Sequence, residues 1–203
     1  DGRDKLPEPH KGFYFSLGLA ESTKYFGSAF EYIRVVPDAR AYIPTSRNST
    51  LALRGVYGRM APLSGDSPIT ERFYGGGSND HRGFSYHRLG PQLAAPNGRT
   101  LPIGGDVSIL FSIEERIKLI ELADEWLIGA LFIDAGDVVV GPSNLDVSQL
   151  HYAAGPGLRY NTPVGLVRAD VGFRLNRWKV GERPDNPDAG QRLAFHVSFG
   201  EAF

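Results

Sequence analysis

His10, His81, His87, His151 and His196 are the five histidines of the chain, and none stands at metal-ligand spacing from another. His81 and His87 sit six apart in a glycine-rich stretch and read as solvated. Gly75-Gly76-Gly77 would cradle a phosphate only if a Lys-Ser pair and a strand-to-helix switch followed; neither does, so it reads as loop flexibility. No serine stands in a Gly-x-Ser-x-Gly context. The chain has no cysteine, which removes thiol nucleophiles, disulfide scaffolds and zinc ribbons together. Glu114 and Asp134 could form a general acid/base pair. Their company of Arg82 and Arg116 points instead to ion pairing. The residues therefore predict neither an enzyme nor a bound metal or cofactor.

The elements that carry these residues have a period of two. Leu193, Phe195, Val197, Phe199 and Phe203 occupy one parity, and Ala194, His196, Ser198, Gly200 and Ala202 the other. Side chains alternate faces along a strand, so one face is apolar and the other small or polar. Val107, Ile109, Phe111, Ile113 and Ile117 alternate with Ser108, Ser112, Glu114 and Arg116 in the same way. So do Val167–Leu175, Tyr152–Tyr160 and Phe13–Leu19. The pattern is weaker over Ile33–Ile43, Leu51–Met60 and Trp126–Asp134, and Pro37 counts against a regular central strand. About eight strands result, with turns at 62–66, 141–144, 162–163 and 184–187. The 25 glycines, 14 prolines and 11% aromatic content suit many strands joined by turns.

In 203 residues with a net charge of −1, no basic excess exists to hold nucleic acid. No apolar run approaches the roughly 20 residues a membrane helix needs, which leaves a barrel open, since its strands need only about ten. The N-terminus, Asp1-Gly2-Arg3-Asp4, carries no signal peptide, as expected of a mature form or a fragment. Alternation fits both a membrane barrel and a soluble sandwich. The second parity holds Arg34, Asp38, Arg40, Glu114, Arg116, Asp134, Arg159, Arg168, Asp170 and Arg174, with both signs interleaved. Such a face suits a wet lumen, and equally the solvated outside of a sandwich.

The motifs decide between the two. The longest stretch without strand pattern runs from about 61 to 104 and carries Glu71-Arg72-Phe73-Tyr74-Gly75-Gly76-Gly77, then His81-Arg82-Gly83-Phe84. It resembles the lid loop of the outer-membrane assembly-factor superfamily, the BamA/TamA type, whose tetrad is Val/Ile-Arg-Gly-Phe/Tyr. His81 departs from that tetrad, so no apolar anchor is expected there. Ser112-Ile113-Glu114-Glu115-Arg116, Phe132-Ile133-Asp134-Ala135-Gly136, Ala154–Gly165 and the terminal Phe195–Phe203 resemble further family segments, in family order. The resemblance implies an all-β transmembrane antiparallel β-barrel segment, a single domain over 1–203 with a long inward-folded lid and no POTRA domain. Arg82 would find Glu114 or Asp134 in the barrel wall, Gly83 would let the loop backbone approach closely, and Phe84 would anchor by packing. Phe195, Val197, Phe199 and Phe203 would form the terminal β-signal, facing lipid.

Family barrels have sixteen strands with the lid between the eleventh and twelfth, so this chain corresponds to the C-terminal half. A lid of more than about 30 residues does not fit inside an eight-stranded barrel, and an open half leaves strand edges unpaired in lipid. The expectation is a homodimer, or a second chain, completing the barrel. The resemblance also implies residence in the bacterial outer membrane, contact with membrane lipid, and folding or insertion of client outer-membrane proteins through a lateral seam. The alternatives are a secretion pore of the two-partner type and a passive structural barrel.

Overall fold

A computed structural model describes residues 1–6, 8–95, 99–163, 165–176 and 191–200. Phe203 and the turn expected over 184–187 lie outside them. Among the described residues ten strands form in chain order: β1 (Gly12–Ser22), β2 (Glu31–Pro44), β3 (Ser49–Ser64), β4 (Gln92–Ala94), β5 (Thr100–Pro102), β6 (Val107–Leu122), β7 (Glu125–Val139), β8 (His151–Thr162), β9 (Gly165–Arg174) and β10 (Leu193–Phe199). Eight make one antiparallel up-and-down sheet in the order β1-β2-β3-β6-β7-β8-β9-β10. β4 and β5 pair only with each other. β1 and β10 end the large sheet, which does not close on itself.

The period-two pattern decides which face turns outward. On β6 the outward Phe111, Ile113 and Ile117 are exposed, while Ser112, Glu114 and Arg116 are buried on the concave side. β7 repeats this, with Leu131 and Ile133 outward and Phe132 and Asp134 buried. Phe13, Phe15, Leu17 and Leu19 at one end of the sheet, and Phe195, Val197 and Phe199 at the other, all face outward. A water-soluble sandwich would cover such a surface; here the covered face is the charged one. Leu131, 61% exposed near the middle of β7, tests the assignment. Leu131→Lys is expected to lower stability in lipid vesicles by about 2 kcal/mol, measured by urea unfolding. An unchanged transition would mean that this face does not meet acyl chains.

The weakly patterned segments are nonetheless long strands. β2 runs through Pro37, which lies between the paired positions Val35↔Arg59 and Asp38↔Val56. Ladder bonds on either side carry the strand past the missing N–H. Short connections gather at one end of the sheet: Pro44 to Ser49, the β6–β7 turn with Ala123 and Asp124 at φ 49° and 67°, and the closure Thr162↔Gly165. The long connections lie at the opposite end, and the longest joins β3 to β6.

That connection, residues 65–106, holds the loop expected from the sequence to act as a lid. β3 runs three residues past the expected start at 61 and β6 begins only at Val107, so the loop is shifted from the 61–104 that the sequence suggested, and the β4–β5 hairpin gives it structure of its own. The lid folds over the concave face of the sheet. Phe73 packs against Met60 and Val138, beside Tyr32 and Val36. Backbone bridges tie Phe73 to Gly105 and Gly75 to Leu89. Gly75, Gly76 and Gly77 are buried, and Gly76 has φ 97°, so this run supplies tight turning and close packing rather than looseness.

Candidate functional site

The tip of the lid, His81 to Phe84, is buried against the wall formed by β6, β7, β8 and β9. Antiparallel register brings Ser112 of β6 opposite Asp134 of β7, and Glu114 opposite Phe132. Arg82 enters this patch. Its Nε and Nη2 donate to the two oxygens of Asp134 at 2.8 and 2.7 Å, a bidentate fork. Its backbone N–H donates to the same carboxylate at 3.0 Å, Nη2 also reaches Ser112 Oγ at 3.0 Å, and Nη1 donates to Glu114. The guanidinium lies 3.6 Å from the Phe132 ring centroid. Arg82 is 1% exposed, and Glu114 and Asp134 are fully covered.

The wall continues the network. Glu114 also accepts from Arg116 and Arg159, each at 2.7 Å. Arg159 of β8 stands opposite Arg168 of β9, a like-charge pairing that costs stability unless anions intervene. Glu114 and Asp170 do so, with Asp170 3.4 Å from Arg159 and 3.9 Å from Arg168. Inward charges of both signs thus pair, four guanidiniums with three carboxylates, in a site that the lid covers.

Gly83 lies so close to β8 that an added Cβ would fall 2.5 Å from that of Ala153. Arg174 Nε donates to the Gly83 carbonyl at 2.9 Å, and its guanidinium covers the Phe84 ring at 3.8 Å. Phe84 is fully buried, with edge contacts to His81 and His151 at centroid distances of 5.1 and 5.5 Å.

His81 corrects an expectation, for it is not solvated; it is fully buried. Its Nε2–H donates to the His151 carbonyl at 2.8 Å, and its Nδ1 accepts from the Gly83 N–H at 3.3 Å. A neutral imidazole satisfies both bonds, so a polar residue fills the position where the resembling tetrad carries Val or Ile. His87 is the half-exposed member of the pair, stacked between Tyr74 and Tyr86.

Burial holds His81 below the usual histidine range, against the pull of Asp134. The docked lid therefore prefers the neutral ring: this stabilisation is complete above about pH 6.5 and is lost as pH falls. Asp80 acts in the opposite sense. Burial pushes its carboxyl up to about 6, so its ionisation loosens the lid as pH rises through that value. His81→Val keeps Asp80, so the difference between the two proteins isolates the histidine. Acidification from about pH 7.5 to about 5.5 is expected to lower the protection of the Gly83 and Phe84 amides, taken relative to unfolded-chain exchange at each pH, more in the wild type than in His81→Val. Equal slopes would remove the proton from the account.

The sequence points to Arg82, Gly83, Phe84, Glu114 and Asp134, and the structure brings all five together. Phe195, Val197 and Phe199 stand apart from them on the outer face of β10. Ser112, Phe132, Arg159, Arg168, Asp170, Arg174 and His196 join the site although the sequence reading named none of them as a site residue, four of them lying within the family-like segments. Inward parity marks the charged ones, but parity gives no register across strands. Among the described residues, no group of three metal-capable side chains converges. No helix among them is long and apolar enough to cross a membrane, which leaves crossing by strands untouched.

Outward apolar strands, an inward charged face and an arginine-anchored loop laid across it define a transmembrane β-barrel wall carrying its own lid. Comparison with known proteins then gives the family. Residues 1–203 match the Omp85 superfamily domain, and the chain belongs to that family. It is 26% identical over 215 residues to the outer membrane protein assembly factor BamA of Nitratidesulfovibrio vulgaris, an alignment covering 100% of this chain and 24% of that protein. It is 32% identical over 94 residues to the mouse sorting and assembly machinery component 50 homolog, covering 45% of this chain and 20% of the relative. The fold matches the crystal structure of BamA from Haemophilus ducreyi lacking POTRA domains 1-3, with a TM-score of 0.79 at 18% identity, over 99% of this chain and 40% of that one. The chain thus matches between a fifth and a quarter of the length of these curated relatives. Its place is the outer membrane.

Proposed function

We propose that the chain forms one wall of an outer-membrane barrel that folds or inserts client outer-membrane proteins, with the free edge of β10 as the seam where a client strand pairs. The observation that carries this reading is the contrast between the two sides of β10. Its outer edge carries no partner strand among the described residues, while its inner face rests on a lid held by buried ion pairs. An edge strand is a template for adding another strand, and a seam must yield while the rest of the wall holds. The relatives named as assembly factors support the same reading. A secretion pore would need an open path, and the lid lies across the concave face.

The open sheet is closed by a second one. The eight strands of the large sheet alternate in direction, so β1 and β10 run oppositely. Two copies related by a twofold axis along the barrel would therefore pair β10 of each with β1 of the other, antiparallel at both joints and with both lids at the same end. In lipid nanodiscs the expected mass is twice 22.2 kDa. A monodisperse monomer with full strand content would overturn the twofold closure. The activity is tested by adding a urea-unfolded outer-membrane barrel protein to vesicles containing the chain. Folding faster than in empty vesicles is expected; equal rates would overturn the assembly role.

A further inference from the structure

We infer that His196 is a positioning residue that couples the seam strand to the lid, so that β10 is held in place from inside the barrel and is released when the lid lifts. This rests on the seam reading above and adds the element that controls it.

Outward side chains of β10 touch nothing of the protein's interior. Its inward side chains, Ala194, His196 and Ser198, stand opposite Gly172, Asp170 and Arg168 of β9. His196 reaches past β9, and its Nε2 lies 3.0 Å from the carbonyl oxygen of Arg82. A carbonyl only accepts, so Nε2 carries the proton and donates. The acceptor is the backbone of the residue whose side chain anchors the lid in Asp134 and Glu114. One residue of the lid thus holds β6 and β7 with its guanidinium and β10 with its carbonyl.

A second connection runs in parallel. Arg168 Nε donates to Ser198 Oγ of β10 at 2.9 Å, and Nη2 of the same guanidinium donates to the side-chain oxygen of Asn79 in the lid. The two links meet consecutive inward positions of β10 and end three residues apart in the lid. Within one copy, and among the described residues, β10 is bonded along one edge, to β9; the seam on its other edge must yield, so cross-barrel bonds of this kind form a large share of what fixes it. A lid lifted from the wall would remove both links at once. An incoming strand that pulled β10 away would in turn loosen the lid, as reciprocity of coupling requires.

The test uses the full chain in lipid nanodiscs, with amide exchange read over β10 and over residues 81–84. His196→Ala is expected to speed exchange about fivefold in both regions, the loss of one neutral hydrogen bond. His196→Gln, whose side-chain amide can also donate to a carbonyl, is expected to return both toward the wild type. Ser198→Ala, which spares the imidazole, is expected to speed β10 with a smaller effect on the lid. Unchanged exchange at 81–84 in His196→Ala would overturn the coupling. Equal acceleration in the Ala and Gln variants would also overturn it, because the bond would then not be the cause. A photo-crosslinkable synthetic peptide with the sequence of β10 is added to the same samples. More labelling of β10 in His196→Ala than in the wild type is expected if the seam accepts strands. Failure of the peptide to label any variant would overturn the seam reading, while the exchange data would still decide the coupling.

Discussion

Arg82→Ala is expected to free the lid from the wall at a cost of about 3–5 kcal/mol, the range for removing one partner of a buried ion pair. The loss falls unevenly on the two carboxylates. Glu114 keeps Arg116 and Arg159, each at 2.7 Å. While the lid stays docked, Asp134 keeps only the Ser112 hydroxyl and the backbone N–H of residue 82, and remains fully covered. Most of the cost therefore comes from stranding Asp134. Lysine should rescue little, since a point charge cannot reproduce a fork that reaches both oxygens of Asp134, Ser112 and Glu114 together. Asp134→Asn in the Arg82→Ala background should recover part of the loss, because it removes the charge left without a counterion; in the wild-type background the same change should destabilise. Amide exchange at Gly83 and Phe84 reports the outcome, with acceleration of roughly a hundredfold or more expected in the single variant. Wild-type exchange in Arg82→Ala would mean that the fork does not hold the lid.

The strands and their faces were legible because a strand's period is local: two residues fix a parity, and the outward Phe111, Ile113 and Val197 announce themselves. β2 and β3 were harder. Their inward and outward positions are both of middling polarity, as in Arg34-Val35-Val36, and Pro37 sits where a ladder bond is missing. The partners of Arg82 were legible as inward carboxylates on the strands after the lid. What decides between Glu114 and Asp134, or joins them, is register, and only the assembled sheet shows Ser112 level with Asp134. His196 was legible only as a polar residue on the inner parity. Its partner is a backbone carbonyl 114 positions earlier, an atom that every residue carries and no side-chain pattern can mark. His81 escapes a sequence reading for the same reason: in a glycine-rich segment a lone histidine looks solvated until its two backbone partners are known.

Gly172 shows how far the wall is shaped to the lid. It lies in mid-strand on β9, where glycine weakens a sheet by leaving nothing to pack, and alanine should on that count be the better residue. Yet a Cβ at this position would sit 2.0 Å from the Arg82 carbonyl oxygen and 3.0 Å from the Gly83 nitrogen. Neither atom is free to retreat sideways. The Arg82 backbone N–H is bonded to Asp134, and Gly83 already presses on Ala153. The methyl would also intrude beside the oxygen that His196 holds. Gly172→Ala is therefore expected to lift the lid tip at a cost of about 3 kcal/mol in docking, although every charged partner is still present. The strands should survive, so heat-modifiable migration is kept while exchange at 81–84 and over β10 rises together. Gly55→Ala is the control, because its added Cβ meets Phe111 at an ordinary 3.6 Å and points to no part of the lid. If Gly172→Ala and Gly55→Ala behave alike, the lid backbone does not lie against β9, and the charged fork alone would have to account for the closed state.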